Sequence, residues 1–302
     1  YAATDINEAA WKMTAASLQD EENPNPDISK LIKSLNESIK EESNPHLLEL
    51  ISTAENKDIA YLVDDDEFSL GYGTTSQSWT IDDLPTIEAI DWNIYTTVPT
   101  ALVTGTNGKS TSVRLSSHIL KQAGIRCGVT STDFIKVGDT IIDKGDYSGP
   151  GGARMLLRHN QTEAAVLEVA RGGLLRRGLP IPQVDVALVT NVAEDHLGQY
   201  GINSVAALTA AKMMVAKAAK KQLILNADDE NIVRFVELTH KNSERNKQLS
   251  NQIGQLNVSK IEQEPLAEYL PEKIVWFSLK ESNPVIISAR KNSQDVCFLR
   301  ND

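Results

Sequence analysis

The sequence is poor in features that would assign it directly to a structural class. Of its 302 residues only 2 are cysteines, Cys127 and Cys297, which lie far apart and without metal-ligand spacing. This excludes a disulfide framework and a cysteine-based zinc site. Both cysteines occur in apolar, strand-like runs, so we expect two buried thiols in a reducing compartment. The sequence also has no apolar run long enough to span a bilayer and no pattern of a signal peptide. We therefore expect a cytoplasmic protein without membrane contact.

Basic residues are also scarce. The chain has 30 lysines and arginines against 41 aspartates and glutamates, a net charge of −11. Because nucleic acids are bound by basic surfaces, this balance argues against a nucleic-acid partner. The length and a hydrophobic content of 41% predict two domains that can each bury a core. We place their boundary near residue 96, and the composition leaves a homo-oligomer open.

The most informative stretch is 101–123. A short apolar run leads into GTNGKST, residues 105–111, and an amphipathic helical pattern follows and stops at Gly124. A strand, a glycine-rich turn and a helix N-terminus in this order bind phosphate, because the turn offers free N–H groups and the helix dipole favours an anion. Lys109 adds a positive charge, and Ser110 or Thr111 places a hydroxyl where a phosphate-bound Mg²⁺ would lie. The residues predicted to hold phosphate are Gly105, Thr106, Asn107, Gly108, Lys109, Ser110 and Thr111.

This loop is shorter than the general phosphate-binding pattern, which has a glycine where this chain has Val103. Such a short match also occurs by chance, as a structural turn with a surface lysine. The strand before the loop and the helix after it favour the phosphate-binding interpretation.

Short apolar runs alternate with helical stretches over most of the second domain. We predict strands at 101–104, 126–130, 164–168, 184–190 and 222–226, and a helix at 205–219. Strands that alternate with helices predict a mostly parallel sheet of the α/β class, covered on both faces. In such sheets ligands bind beyond the carboxyl ends of the strands. The predicted site therefore lies where these runs end.

The two ends of the chain have sequence patterns that differ from this alternation. Residues 1–95 predict a small α+β domain: helices over 1–60, then a hairpin over 60–72 that turns at Asp64, Asp65 and Asp66. We interpret these aspartates as a solvated turn, because adjacent residues in a turn rarely converge on one metal ion. Near the C-terminus we predict small β elements at 274–277, 285–288 and 296–299.

Several polar residues at the predicted strand ends are candidates for chemistry. Glu168 ends an apolar strand and is our candidate ligand for the Mg²⁺ of a bound nucleotide, although pairing with Arg171 would also explain it. His196 follows another strand end beside two acids, in TNVAEDHLG. Lys212 lies on the next helix, where most lysines are solvent-exposed. The segment at Asn226 and Asp228 follows a later strand and holds a nucleoside or caps the next helix.

These motifs together resemble the Mur ligases. GTNGKST, LEVARGG, TNVAEDHLG, a later lysine and LNADD occur in the order seen in that family. The variants TSTD and YSGPGGAR add a resemblance to its cyanophycin synthetase branch, from about residue 68 to the C-terminus. The resemblance implies a central ATP-binding domain of the Mur ligase kind over 96–302.

The resemblance also implies an activity and roles for residues. Such enzymes transfer the γ-phosphate of ATP to a carboxylate, and an amine then attacks the acyl phosphate to give an amide. Gly105–Lys109 would hold phosphates, and Ser110, Glu168 and His196 would be the metal ligands. Lys212 matches a lysine that several members carry as a carbamate, and Asn226 and Asp228 match nucleotide contacts. In the cyanophycin branch the module adds arginine to an aspartate side chain, and 130–133 and 148–154 would lie near that acceptor.

The sequence departs from the family pattern in two places. About 95 residues before the loop are too few for the ATP-grasp module of the cyanophycin branch. The further C-terminal domain of Mur ligases is also expected to be absent, since the sequence ends near where it would begin. Two other functions therefore stay open: an ATPase or kinase that forms no amide, and a truncated nucleotide-binding or regulatory module.

Overall fold

The chain folds around two β-sheets. A computed structural model describes residues 2–18, 27–195, 197–252, 270–271 and 273–300. Within these ranges one sheet has three antiparallel strands and the other has nine strands that are mostly parallel. The predicted α/β class with a parallel sheet is confirmed.

The N-terminal elements combine helices with the small sheet. Three helices, α1 (Ala2–Leu18), α2 (Ile28–Glu42) and α3 (Pro45–Asn56), precede the strands β1 (Tyr61–Val63), β2 (Glu67–Leu70) and β3 (Gln77–Thr80). The β1–β2 hairpin was predicted, whereas β3 lies in a stretch whose turn residues concealed it. Helix α3 and the sheet bury a core of their own, formed by Leu50, Ala54, Phe68, Leu70, Ile90 and Tyr95. The domain boundary near residue 96 stays a prediction.

The large sheet contains the remaining strands. In spatial order they are β12 (Val296–Phe298), β11 (Ile274–Ser278), β10 (Ala219–Asn226), β9 (Val184–Val189), β4 (Thr100–Thr104), β8 (Ala164–Glu168), β5 (Cys127–Thr130), β6 (Phe134–Val137) and β7 (Thr140–Lys144). All neighbours pair in parallel except β5–β6 and β6–β7. The five strands predicted between 101 and 226 are confirmed, and the antiparallel extension β6–β7 was not predicted.

Helices follow most of these strands. They are α4 (Lys109–Gln122), α5 (Pro150–Leu157), α6 (Arg171–Arg177), α7 (Val205–Met213), α8 (Glu230–Gln252) and α9 (Pro284–Lys291). The predicted helix over 205–219 ends earlier, because a 3-10 turn, Met214–Ala218, leads directly into β10.

Two predictions near the C-terminus are wrong. Residues 285–288 form helix α9 rather than a strand, because Pro284 occupies its first turn and the Asn283 side chain accepts a hydrogen bond from Val285 N. Local capping outweighs the β-branched composition of this stretch. Cys127 is buried as predicted, but Cys297 is exposed because β12 is the edge strand of the sheet.

The sheet topology brings the predicted motifs to one edge. Strand β4, which leads into the glycine-rich loop, lies between β8 and β9, with Val103 in register with Glu168 and with Leu188. The carboxyl ends of β4, β8, β9 and β10 therefore meet beside the N-terminus of α4. Side chains such as Leu102, Leu167, Ala187 and Leu225 are fully buried behind this edge and fix its position.

An ion-pair cluster joins the small sheet to the large one. The Asp64 carboxylate pairs with Arg158 and Arg154 of α5, and Arg158 also pairs with Glu67 at 3.0 Å and donates to Ser69 Oγ at 3.1 Å. Arg158 is largely buried. Asp64 is therefore more than the solvated turn residue predicted, whereas Asp65 and Asp66 are exposed.

We expect Asp64→Ala to lower the free energy of unfolding by about 2–4 kcal/mol, since it leaves a largely buried guanidinium without its main partner. Urea denaturation followed by circular dichroism measures this change. Asp65→Ala removes an exposed carboxylate from the same turn and should have almost no effect. Equal effects of the two substitutions would contradict a stabilising role for the cluster.

Candidate active site

Two glycines give the glycine-rich loop a backbone conformation that other residues rarely adopt. Gly105 has φ +150° and Gly108 has φ +82°, both in the region that favours glycine. A Cβ at Gly105 would lie 1.9 Å from Thr190 Oγ1, so no side chain fits there. Helix α4 begins at Lys109, directly after Gly108. The N–H groups of its first turn have no acceptor within the helix and are available to an anion.

The loop is braced by the segment that follows β9. Thr106 N donates to Asn191 O at 2.8 Å, and Asn107 N donates to Asn191 Oδ1 at 2.9 Å. Asn107 O accepts hydrogen bonds from Thr190 Oγ1 at 2.7 Å and from Asn191 Nδ2 at 3.0 Å. The loop shape thus depends on side chains at the end of a neighbouring strand, the edge at which the sequence predicts the site.

Lys109 lies at the start of α4, half-buried, with its ammonium 3.0 Å from Thr106 O. Its charge is thus held against the loop that precedes it. Ser110 and Thr111 follow in the first turn of the helix. The seven residues predicted to bind phosphate therefore form the loop, 105–108, and the start of α4, 109–111.

Glu168 is the most unusual group of the site. Its side chain is buried at the end of β8, and neither carboxylate oxygen has a hydrogen-bond partner among the described residues. Burial raises the pKa of this carboxyl, and the nearby Ser110 hydroxyl and Lys109 ammonium oppose the rise. Arg171 donates instead to Asp195 O and Gln199 Oε1, so the alternative of a Glu168–Arg171 pair is not seen. A buried carboxylate without partners beside a phosphate loop fits a hard cation such as Mg²⁺.

Lys212 reaches the same loop from α7. It is buried, and its Nζ donates to Gly105 O at 2.8 Å. Burial and then the charges of Lys109 and Arg171 lower its pKa to about 8, against the opposing influence of Asp195. Most helical lysines are solvent-exposed, and Lys212 is an exception. At neutral pH a larger fraction of its amine is therefore neutral, and able to act as a nucleophile, than for an ordinary lysine.

We expect Lys212 to change the pH dependence of stability. The folded chain loses this proton near pH 8 and the unfolded chain only near pH 10.5, so the unfolded chain binds more protons between these values. Relative to Lys212→Met, the wild type should gain up to about 3 kcal/mol of unfolding free energy as the pH rises through this window. Urea denaturation from pH 7 to 10.5 measures it, with the exposed Lys220→Met as the control. Parallel curves for wild type and Lys212→Met would contradict the shifted pKa.

The loop after β9 carries the remaining predicted metal ligand. Glu194 is exposed and Asp195 is half-buried, while His196 lies outside the described residues. Among the residues that the structure describes, no three His, Cys, Asp or Glu side chains are grouped so that they could hold a metal ion.

Asn226 and Asp228 lie at the end of β10. Asn226 Nδ2 donates to Thr190 O at 2.8 Å and thus supports the brace of the loop. The Asp228 carboxylate accepts from Ser278 Oγ, Leu279 N and Asn283 Nδ2 at 2.6–2.8 Å, so its described contacts are within the chain. A nucleotide contact by Asp228 would have to share these bonds, and its role stays a prediction.

A cavity of about 490 Å³ opens between these strand ends and the loop. Asn107 and Gly108 form one wall, and Asn226 and Asp228 another. The apolar part is lined by Leu188, Phe277, Leu279 and Cys297. The size and mixed lining suit a nucleoside. The sequence did not predict Phe277, Leu279 and Cys297 as site residues. They lie on β11, in the loop after β11 and on β12, far along the chain from the glycine-rich loop.

The two segments predicted near an acceptor flank Glu168. Thr130 Oγ1 accepts from Glu168 N at 3.2 Å, and Ser148 O accepts from Ala170 N at 2.9 Å. Arg154, at the end of the second segment, is used by the Asp64 cluster. An acceptor role for 130–133 and 148–154 stays a prediction. None of the described helices combines the length and apolar character needed to cross a membrane.

Comparison with known proteins identifies the domain. The model of the Mur ligase middle domain matches residues 103–278. The cyanophycin synthetase of Geminocystis herdmanii is 38% identical over 204 residues, which cover 67% of this chain and 20% of the relative. That of Crocosphaera subtropica is 45% identical over 142 residues, 46% of this chain and 16% of the relative. A solved UDP-N-acetylmuramoyl-L-alanyl-D-glutamate–2,6-diaminopimelate ligase aligns over 61% of this chain and 33% of its own, with 21% identity and a TM-score of 0.41. The chain thus spans about a fifth of the length of these curated relatives.

Proposed function

The chain belongs to the Mur ligase family, and we propose that it is the ATP-binding part of an enzyme that joins a carboxylate to an amine. The observation that carries this proposal is the partnerless Glu168 carboxylate, buried beside a phosphate loop that holds Lys109 and Ser110. The relatives named cyanophycin synthetase support the same class of activity.

The reaction has two steps. A carboxylate oxygen of the acceptor attacks the γ-phosphorus of ATP, the bond to the β,γ-bridging oxygen breaks, and ADP leaves. The amine then attacks the carbonyl carbon of the acyl phosphate, loses a proton, and phosphate leaves as the amide forms. Mg²⁺, when bound, neutralises charge on the phosphates during the first step.

The residues of the chain position and stabilise these reactants. Lys109 and the N–H groups of the first turn of α4 bind the β- and γ-phosphates and stabilise the charge that develops on them. Ser110 and Glu168 would hold the cation, together with His196 if the resemblance applies. Asn107 and Asn226 line the cavity for the nucleoside.

The carbamate of Lys212 is the finer part of the proposal. The neutral amine attacks the carbon of CO₂, a proton is released, and a negatively charged group replaces a cation. The low pKa and the buried position of Lys212 support this modification. We further propose the cytoplasm as its compartment, where ATP and Mg²⁺ are abundant.

Trapping of the acyl phosphate tests the function without knowledge of the natural amine. The chain is incubated with Mg·ATP, a carboxylate and hydroxylamine, which converts an acyl phosphate to a hydroxamate. An aspartate-containing peptide is the first carboxylate to test, and arginine is the first natural amine, because of the resemblance to the cyanophycin branch. Hydroxamate that requires both ATP and the carboxylate supports the ligase. ADP formation that is independent of the carboxylate would instead show an ATPase.

A further inference from the structure

The backbone of one residue, Val192, connects the start of α8 with the phosphate loop. Val192 N donates to Asp229 Oδ2 at 2.6 Å, and Val192 O accepts from Asn231 Nδ2 at 2.9 Å. Both polar atoms of Val192 are therefore held by side chains at the N-terminus of α8. Val192 itself is buried.

The neighbours of Val192 hold the loop in turn. Thr106 Oγ1 accepts from Ala193 N at 3.0 Å and donates to Ala193 O at 3.2 Å. Asn191 binds the backbone of Thr106 and Asn107, as described above. An unbroken series of hydrogen bonds thus runs from α8 through residues 191–193 to the middle of the phosphate loop.

Asp229 contributes two separate interactions through its two oxygens. Oδ2 accepts from Val192 N, whereas Oδ1 accepts from Asn231 N at 3.0 Å and Ile232 N at 3.1 Å. The second set is an ordinary helix cap, which an asparagine forms as well as an aspartate. The bond from Val192 N is different, because it needs a second acceptor oxygen, and an asparagine has an NH₂ group in that place. The two roles can therefore be separated by a single substitution.

We propose that Asp229 is a positioning residue for the phosphate loop and acts on Thr106 and Asn107 through the backbone of Val192. From the sequence alone, Asp229 belongs to the segment that holds a nucleoside or caps the next helix. Its importance for nucleotide affinity rests on the proposed function, since the loop must bind Mg·ATP for the effect to be seen.

The first test is Asp229→Asn. Its amide oxygen keeps the cap, but its NH₂ group faces the Val192 N–H, so two donors oppose each other. We expect Mg·ATP to bind about tenfold more weakly by calorimetry, the effect of one hydrogen bond to a charged group. The thermal midpoint should fall by a few degrees, because the buried Val192 N–H loses its acceptor, and the variant should stay folded at the temperature of the binding measurement.

Two further variants make the test specific. Asp27→Asn makes the same change at the cap of α2, where Asp27 accepts only from Lys30 N among the described contacts, and should leave the Mg·ATP affinity unchanged. Asn231→Ala removes the other bond to Val192. Because both substitutions release the backbone of the same residue, their effects on affinity should be less than additive in the double variant.

Hydrogen exchange without nucleotide provides a readout independent of the proposed function. In Asp229→Asn the amides of Val192, Ala193, Thr106 and Asn107 should exchange faster, while those of α4 beyond its first turn should not. Unchanged exchange at these four amides, or an affinity loss equal to that of Asp27→Asn, would overturn the positioning role. If the wild type binds no Mg·ATP but exchange still responds to Asp229→Asn, the proposed function fails and the positioning role stands.

Discussion

Replacement of Lys109 by alanine should weaken Mg·ATP binding by about 100-fold or more, to below detection in calorimetry. The Lys109 side chain is half-buried and folds back on the loop, with its ammonium 3.0 Å from Thr106 O, so its charge is already placed for phosphates. A hydrogen bond between two charged groups contributes about 1.5–3 kcal/mol, and the loss of the lysine's positive charge beside the phosphates adds to it. Folding should be unaffected, because the substitution removes no packed apolar group.

Lys121→Ala is the matched control for this measurement. Lys121 lies on the same helix and pairs with Asp139 at 2.7 Å on the surface, so its removal deletes a similar charge outside the site. It should bind Mg·ATP as the wild type does. Equal affinity of Lys109→Ala and wild type would contradict the phosphate site, and no binding by the wild type would contradict nucleotide binding by this chain.

The parts of the fold that could be predicted depend on local patterns. Each buried parallel strand is a short apolar run, and the glycines at 105 and 108 together with Lys109 mark a strand, turn and helix by themselves. The rule that ligands bind at the carboxyl ends of parallel strands then placed Glu168 beside the loop. These predictions succeeded because sequence neighbours determine them.

The features that were missed depend on residues far apart in the chain. The partner of Asp64 is Arg158, which no spacing rule connects with a turn of aspartates. Cys297 was predicted to be buried because its neighbours are apolar, but the exposure of a strand depends on its place in the sheet. Residues 285–288 were predicted as a strand from their branched side chains, although Asn283 and Pro284 start a helix there.

The site itself was predicted in composition but not in connection. The motif TNVAEDHLG was predicted to lie at the site, but not that its Thr190 and Asn191 bind the backbone of the phosphate loop. Lys212 was singled out by the family resemblance alone. Its buried contact with Gly105 O now gives that choice a physical reason. The role of His196 stays a prediction.

Glu168→Gln should have opposite effects on stability and activity. At neutral pH the wild-type carboxylate is buried without a partner, and burial raises its pKa. The folded state therefore carries the energetic cost of a buried charge. This cost is lost as the pH falls and the group is protonated. Glutamine has a similar shape without the charge. Without Mg²⁺ or nucleotide, we expect the free energy of unfolding of the variant at pH 7 to exceed that of the wild type by about 1–3 kcal/mol.

With Mg·ATP present, the wild type should instead be more stable than Glu168→Gln. Binding stabilises a folded protein by mass action, and a variant without the carboxylate ligand should gain much less of that stabilisation. ATP-dependent hydroxamate formation should fall by about 100-fold or more, as for other groups that stabilise charge in the transition state. Thermal melts with and without Mg·ATP measure the reversal, and Glu49→Gln on the exposed face of α3 is the control. A variant that is less stable than the wild type in the absence of ligand would show that Glu168 has a structural partner, and the cation site would then have to lie elsewhere.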